Sequence, residues 1–239
     1  MKILALDAAT EWCSAALLSG GERLEQEFKA ERGHGEQLLT MVDALLAQAG
    51  FALGGLDAIA FGRGPGAFTG VRLAASLTQG LAFSAGLPVI PVSDLRALAQ
   101  QALGGAADGA RALVCHDARM GEVYWAAFTA ADRHAASTPS IDERVARPEH
   151  MLAAAHAWLD EATAARGRLA GVGNGFDIHL ALAPLAARLS PVLSAVHPRA
   201  GDIALLAAYD GIGAAVPAER AWPVYVRDNV AVASAGQSN

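Results

Sequence analysis

Apolar and polar positions along this 239-residue chain keep switching between a period of two and a period near 3.6. Ile3 to Leu6 is an unbroken apolar run, the pattern of a strand covered on both faces, and Asp7-Ala8-Ala9-Thr10 reads as the turn after it. Trp12 to Leu18 and Arg23 to Phe28 read as two further strands, joined at the hairpin signal Ser19-Gly20-Gly21. A dinucleotide-binding domain would place a helix directly after its first strand, so this opening points to another architecture. From about His34 to Gln48, Leu38, Val42, Leu45 and Ala49 recur at helical spacing, and Gly50 stops the helix. Asp57 to Phe61 is a strand, Gly62-Arg63-Gly64-Pro65-Gly66 a turn, and about Ala67 to Ala85 a second helix closed by Gly86 with Pro88 beyond. Leu87 to Val92 is a strand, and Ser93 caps a short helix from Asp94 to about Leu103.

Gly104 to Gly109 is the best linker in the chain, and strands flank it on both sides, which favours two lobes: residues 1–104 and 110–229. The second opens with strands at Ala112 to His116 and Glu122 to Thr129, around a turn at Asp117-Ala118-Arg119-Met120-Gly121. Residues 130–147 read as polar and irregular. Pro148 suits the first turn of a helix running to about Ala162. A strand at Leu169 to Val172, the turn Gly173-Asn174-Gly175, a helix over about Ile178 to Leu189 and a short strand at Val192 to Val196 follow. Gly201 to Ala215 reads as the last long helix, one that could complete the first lobe, and residues 230–239 as a loose tail. No repeat of fixed short period is visible.

Composition narrows the class. Hydrophobic types make up 53% of the chain and 56 residues are alanine, which suits tightly packed helices and excludes a disordered protein. Lys and Arg number 18 against 24 acids, a net charge of −6, so the chain has no electrostatic footprint for nucleic acid of its own. Its two cysteines, Cys13 and Cys115, match no metal spacing and read as small core residues. Without a long uncharged apolar stretch or a signal-like amino terminus, the expectation is a cytoplasmic protein with no membrane span.

Candidate chemistry is sparse. The Gly62–Gly66 turn lies between a strand and a helix, a place where N–H groups can meet an anion. It lacks the Lys-Ser/Thr of a phosphate loop, however, and a tight turn with close backbone packing explains it as well. Gly66, Gly70 and Ala74 form a flat stripe on the second helix that lets another backbone approach, within the fold or across a subunit contact. Asp7 ends a strand, where a carboxylate can serve a metal-bound water or cap a turn. Alanines at 8 and 9 give no flexible glycine to close on a phosphate. The seven histidines show no helical three-residue gap suited to a metal, and no Gly-x-Ser-x-Gly elbow occurs.

Several strings occur together in order: Asp7-Ala8-Ala9-Thr10, Arg32 to Leu39, Gly62 to Arg72, Asp117 to Tyr124, Gly171 to Gly175 and Pro223 to Ala231. Over nearly the whole chain they resemble the bacterial dimerization subunits for tRNA threonylcarbamoyladenosine biosynthesis, most specifically in Gly64–Arg72 and Pro223–Ala231. The resemblance implies an α/β, two-lobed fold of the actin-like ATPase and sugar-kinase (ribonuclease H-like) type, with mixed sheets flanked by helices.

It further implies a non-catalytic relative of the subunit that transfers a threonylcarbamoyl group to the adenosine beside the anticodon of ANN-decoding tRNAs. Catalytic relatives carry a His-x-x-x-His metal pair on their first helix, and here Leu38 follows His34 at the second position. The expectations are therefore no metal, no cofactor, weak or no ATP binding, and at most a vestigial nucleotide site at Asp7, Thr10, Gly173 and Asn174. The implied partners are the catalytic paralogue, a small pathway ATPase, tRNA held indirectly through the complex, and a second copy when the chain is isolated. The expected subunit interface is Leu38, Val42 and Leu45 with Gly66, Gly70, Ala74 and Leu77. The alternatives are an active nucleotide-dependent transferase, a metallopeptidase-like enzyme, or a plain sugar-kinase-like ATPase.

Overall fold

The computed structural model describes residues 1–29, 33–107, 109–131, 137–164 and 168–226. The expected tail at 230–239, and Arg32 and Arg227–Ala231 of the strings above, lie outside the described residues.

Two five-stranded mixed sheets, each flanked by helices, are built in the same way. The first is made from β1 (Ile3–Asp7), β2 (Trp12–Ser19), β3 (Glu22–Lys29), β4 (Ala58–Gly62) and β5 (Val89–Val92), in the order β3-β2-β1-β4-β5. Its β1–β2 and β2–β3 pairs are antiparallel, and β1–β4 and β4–β5 are parallel. The second is made from β6 (Arg111–Arg119), β7 (Glu122–Ala130), β8 (Ser137–Ala146), β9 (Leu169–Val172) and β10 (Val192–Leu193), in the order β10-β9-β6-β7-β8. Read from β8, this is the same sequence of two hairpins followed by two parallel steps. The chain thus repeats one architecture without repeating its residues.

The period of two in β1 divides the first core. Leu4 and Leu6 point to the face covered by α1 (His34–Ala49) and α2 (Phe68–Ala85), while Ile3 and Ala5 point to the face covered by α7 (Ala200–Asp210). In the second sheet, Leu113 and Cys115 face a cluster with α4 (Pro148–Ala164). Ala112 and Val114 face α3 (Asp94–Leu103) through Leu95, Leu98 and Ala102. The last helix of each half therefore covers the sheet of the other half, and α3 and α7 lie against each other between the two sheets. α3, from within residues 1–104, sits on the second sheet, and residues 200–221 sit on the first.

The structure corrects three element expectations. Residues 137–146, expected as irregular, form the edge strand β8, whose Ile141, Glu143 and Val145 are half-buried while Asp142 and Arg144 are exposed. The long helix expected over 178–189 is broken into α5 (Gly175–Ile178), a short 3-10 turn and α6 (Ala183–Ala186). His179 leaves helical conformation, with φ −111° and ψ 100°, and Pro184 supplies no N–H to bridge the gap. The last helix stops at Asp210 before Gly211, and only a 3-10 turn follows over 212–214. No helix among the described residues is long and apolar enough to cross a membrane.

Candidate functional site

A cleft of about 790 Å³ opens where the ends of the two sheets face each other. Thr10 and Glu11 of the β1–β2 turn, His34 at the start of α1, and Pro65 to Phe68 before α2 form its first wall. His116 to Arg119 at the end of β6, Tyr124 and Asn174 form the second, and Val224 to Val226 close one side.

The first wall is a packed joint. Gly70 lies against the Ala8 carbonyl so closely that a Cβ there would overlap it. A Cβ at Gly66 would come within 2.7 Å of Ala9, and the Ala67 N–H donates to the Ala9 carbonyl at 2.7 Å. The glycine stripe thus seats α2 on the turn after β1. The turn's own N–H groups are occupied from below, where both Asp7 carboxylate oxygens accept the Ala9 N–H at 3.3 Å. Above it, residues 223–225 run along the Gly62–Gly66 turn. The Val224 N–H donates to the Arg63 carbonyl at 2.7 Å, and Arg72 Nε donates to the Tyr225 hydroxyl at 2.6 Å while its guanidinium lies 3.6 Å over the Phe68 ring.

The second wall centres on Asp117. Its N–H donates to Asn174 Oδ1 at 2.8 Å, its Oδ1 accepts the Arg119 N–H at 3.2 Å, and His179 Nε2 lies 3.2 Å from the same oxygen. Arg119 and Met120 both take positive φ, 63° and 56°, at the hairpin tip, a conformation costing roughly 1–2 kcal/mol for a residue with a Cβ. His116 is buried, its Nδ1 has no hydrogen-bond partner among the described residues, and burial pushes its pKa down to about 4, so the ring is neutral at pH 7. The walls are tied at the rim. Arg63 donates two hydrogen bonds to Glu143 of β8, at 3.1 and 3.2 Å. Trp12 stacks on His197 at 4.5 Å, and His197 Nε2 lies 3.0 Å from Glu27.

Of the expected nucleotide residues, the cleft brings together Thr10 and Asn174, and both are engaged within the fold: Thr10 Oγ1 accepts the Trp12 N–H at 3.1 Å. Asp7 is fully buried beneath the turn rather than in the cleft. Gly173 is pressed against the Cys115 carbonyl, where a Cβ would overlap it.

The expected interface requires correction, because Leu38, Val42, Leu45, Gly70 and Ala74 are buried in this chain's own core and offer no surface. Leu77 packs half-buried against that core, and Gly66 is half-buried against Ala9. Helical spacing correctly groups these positions on one face, but that face is turned inward. The faces left open on α1 and α2 carry Leu39, at 41% exposure, Ser76, Gly80 and Phe83, at 81%.

Sequence reasoning missed Asp94 and the Asp117–His179 contact. Asp94 follows a capping serine and reads as an ordinary first-turn acid, yet it is fully buried beside Asp7. Among the described residues, no three His, Cys, Asp or Glu side chains gather as a metal-binding group.

The family model of TsaD, tRNA N6-adenosine threonylcarbamoyltransferase, matches residues 28–232. The tRNA threonylcarbamoyladenosine biosynthesis protein TsaB of Escherichia coli is 38% identical over 97% of this chain and 96% of its own length. The TsaB of Haemophilus influenzae is 50% identical over 125 residues, and this chain spans about half the length of that relative, 52%, in the alignment. Two solved Pseudomonas aeruginosa structures superpose with TM-scores of 0.78 and 0.76 at 40% and 39% identity, covering 95% and 94% of this chain and 99% of each of theirs. One is described as an uncharacterized protein similar to peptidase YeaZ, the other as YeaZ.

Proposed function

This chain belongs to the TsaB family of tRNA threonylcarbamoyladenosine biosynthesis proteins, and from that premise we propose that it is the non-catalytic scaffold of the threonylcarbamoyl-transferring complex. It pairs with the catalytic paralogue, a small ATPase of the pathway joins them, and tRNA is held through the assembly rather than by this acidic chain alone. In isolation the same surface pairs two copies of the chain.

One observation carries the non-catalytic reading: the groups that would do chemistry are spent inside the fold. Asp7 is turned under the β1–β2 turn, α2 covers that turn, and Leu38, one helical turn after His34, lies in the core. His34 Nε2 itself lies 3.3 Å from the Glu11 carbonyl.

The pairing surface is the open side of α2, where Ser76 and Gly80 leave a shallow strip beside Phe83. A partner helix can approach such a strip to the short end of the ~8–10 Å range. The test is co-elution with the catalytic paralogue. Phe83→Asp should abolish it and shift the isolated chain from dimer to monomer, while the circular dichroism spectrum stays that of the folded chain, because the side chain is exposed on the single chain. Undiminished co-elution of Phe83→Asp would remove this face from the interface.

A further inference from the structure

Beneath the cleft two carboxyl groups meet where solvent does not reach. Asp7 ends β1, Asp94 begins α3, and both are fully buried. Gly62 lies between them, and a Cβ there would overlap Asp7 Oδ1 and Asp94 Oδ1 together, so these two oxygens crowd one point. Asp94 Oδ2 accepts the Gly64 N–H, whereas Asp94 Oδ1 has no partner among the described residues unless it bears a proton. Among the described residues, the surroundings supply little compensating positive charge. Glu143 of β8 adds negative charge towards Asp94, and Arg63 after β4 is engaged by Glu143. His34 of α1 acts on Asp7 only as its weakest influence, Cys13 of β2 is a buried thiol whose pKa burial raises, and Arg72 of α2 turns outward to Tyr225. Two carboxylates this close in a low-dielectric interior do not both ionise.

We infer that Asp7 and Asp94 hold one proton between them at neutral pH, carried on Asp94 Oδ1 and donated to Asp7 Oδ1, and that this proton latches the Gly62–Gly66 turn to the end of β1. Burial supports the arrangement by raising both groups, Asp7 to about 6 and Asp94 well above the carboxylate range. The N-terminus of α3 would by itself favour an ionised Asp94, and burial with the neighbouring charge outweighs it. The latch matters because the turn bears both the start of α2 and the 223–225 segment, which hangs on the Arg63 carbonyl. Loss of the proton sets two carboxylates against each other, strains the Gly64 bond and loosens that rim of the cleft. The cleft is thereby sensitive to pH above neutrality.

Asp94→Asn tests this, since an amide reproduces the protonated acid: its N–H donates to Asp7 and its oxygen accepts from Gly64. Wild type should lose thermal stability from pH 7 to pH 9 while the variant stays flatter. At equal pH, amide exchange in residues 62–68 and 222–226 should become faster in wild type than in Asp94→Asn, by up to tenfold per pH unit while the closed turn holds the proton and the opened turn does not, and the difference should level off once the closed turn has lost it. Infrared spectra of wild type at pH 7.5 should contain the carbonyl stretch of a protonated carboxyl group, and Asp94→Asn should lack it. Should Asp94→Asn not fold, Asp7→Asn removes the paired charge from the other side and should abolish the same pH step. Should neither fold, the infrared band of wild type decides alone. Absence of that band, or a band and pH step that survive the substitution, would overturn the inference.

Discussion

Gly70→Ala reports directly on what the small-residue stripe of α2 is for. By helix propensity alone the substitution gains up to ~1 kcal/mol. The new Cβ, however, would overlap the carbonyl of Ala8, and the obstacle is backbone, so no side chain can swing aside. The turn cannot retreat either, because Asp7 grips the Ala9 N–H from below and the Ala67 N–H grips the Ala9 carbonyl from above. Overpacking of this kind typically costs ~1–3 kcal/mol, and a rigid neighbour places it in the upper part of that range. Net of propensity, about 1–2 kcal/mol of stability is lost. At roughly 2–4 °C per kcal/mol for a chain of this size, the melt falls by about 2–8 °C. Gly80→Ala on the same helix is the control: nothing within the chain lies within 4 Å of the added Cβ, so at dilutions where the chain is monomeric only propensity acts, and the melt should rise by about 2–4 °C. Melting of both purified variants, followed by circular dichroism, gives the answer. A Gly70→Ala protein that melts at or above wild type would refute the internal joint and return the stripe to a partner.

Three further outcomes follow from the same geometry. His116→Gln should blunt the loss of stability on acidification. The folded pKa of about 4 lies below the unfolded value near 6.5, so wild type binds fewer protons when folded and weakens as pH falls through that window, by about 2 kcal/mol at pH 5; urea melts at pH 7 and 5 measure it. Asp202→Asn should act in the opposite direction. Burial raises Asp202 to about 6, so its stabilising share is present below the unfolded value near 4 and is lost as pH rises through 6; the variant should gain on wild type at pH 7–8 and match it near pH 4. Arg96 and Asp210 join α3 to α7 through two hydrogen bonds of 2.6 and 2.9 Å, partly shielded from solvent, and a double-mutant cycle should return a coupling of about 1–3 kcal/mol; a coupling near zero would show that packing alone holds the two helices together.

The parts of the fold legible in the sequence are those set by neighbours along the chain. The opening strands, the helices ended by Gly50 and Gly86, and the cap at Ser93 depend on local pattern, and the structure has them where the pattern places them. Edge strand β8 escaped because only one of its faces is covered, so Ser, Thr, Asp, Glu and Arg dilute its alternation. The placement of α3 on the second sheet escaped because amphipathic spacing shows that a helix has a buried face without showing which sheet buries it. The same limit turned the stripe of α2 and the Leu38–Val42–Leu45 face outward in expectation and inward in fact. Asp94 was invisible for a related reason. Its partner is 87 positions away, and the vacancy that joins them is the missing side chain of Gly62 on a third element.

The central claim is a scaffold that enables chemistry performed by another chain, and reconstitution of tRNA modification tests it most directly. Threonylcarbamoyladenosine in tRNA is measured by nucleoside mass spectrometry after incubation of unmodified tRNA, an activated threonylcarbamoyl donor and ATP with the catalytic paralogue and the pathway ATPase, with and without this chain, and with this chain alone. Product should form only when the catalytic paralogue and this chain are both present. Product formed by this chain alone, or formed equally well when it is left out, would contradict it.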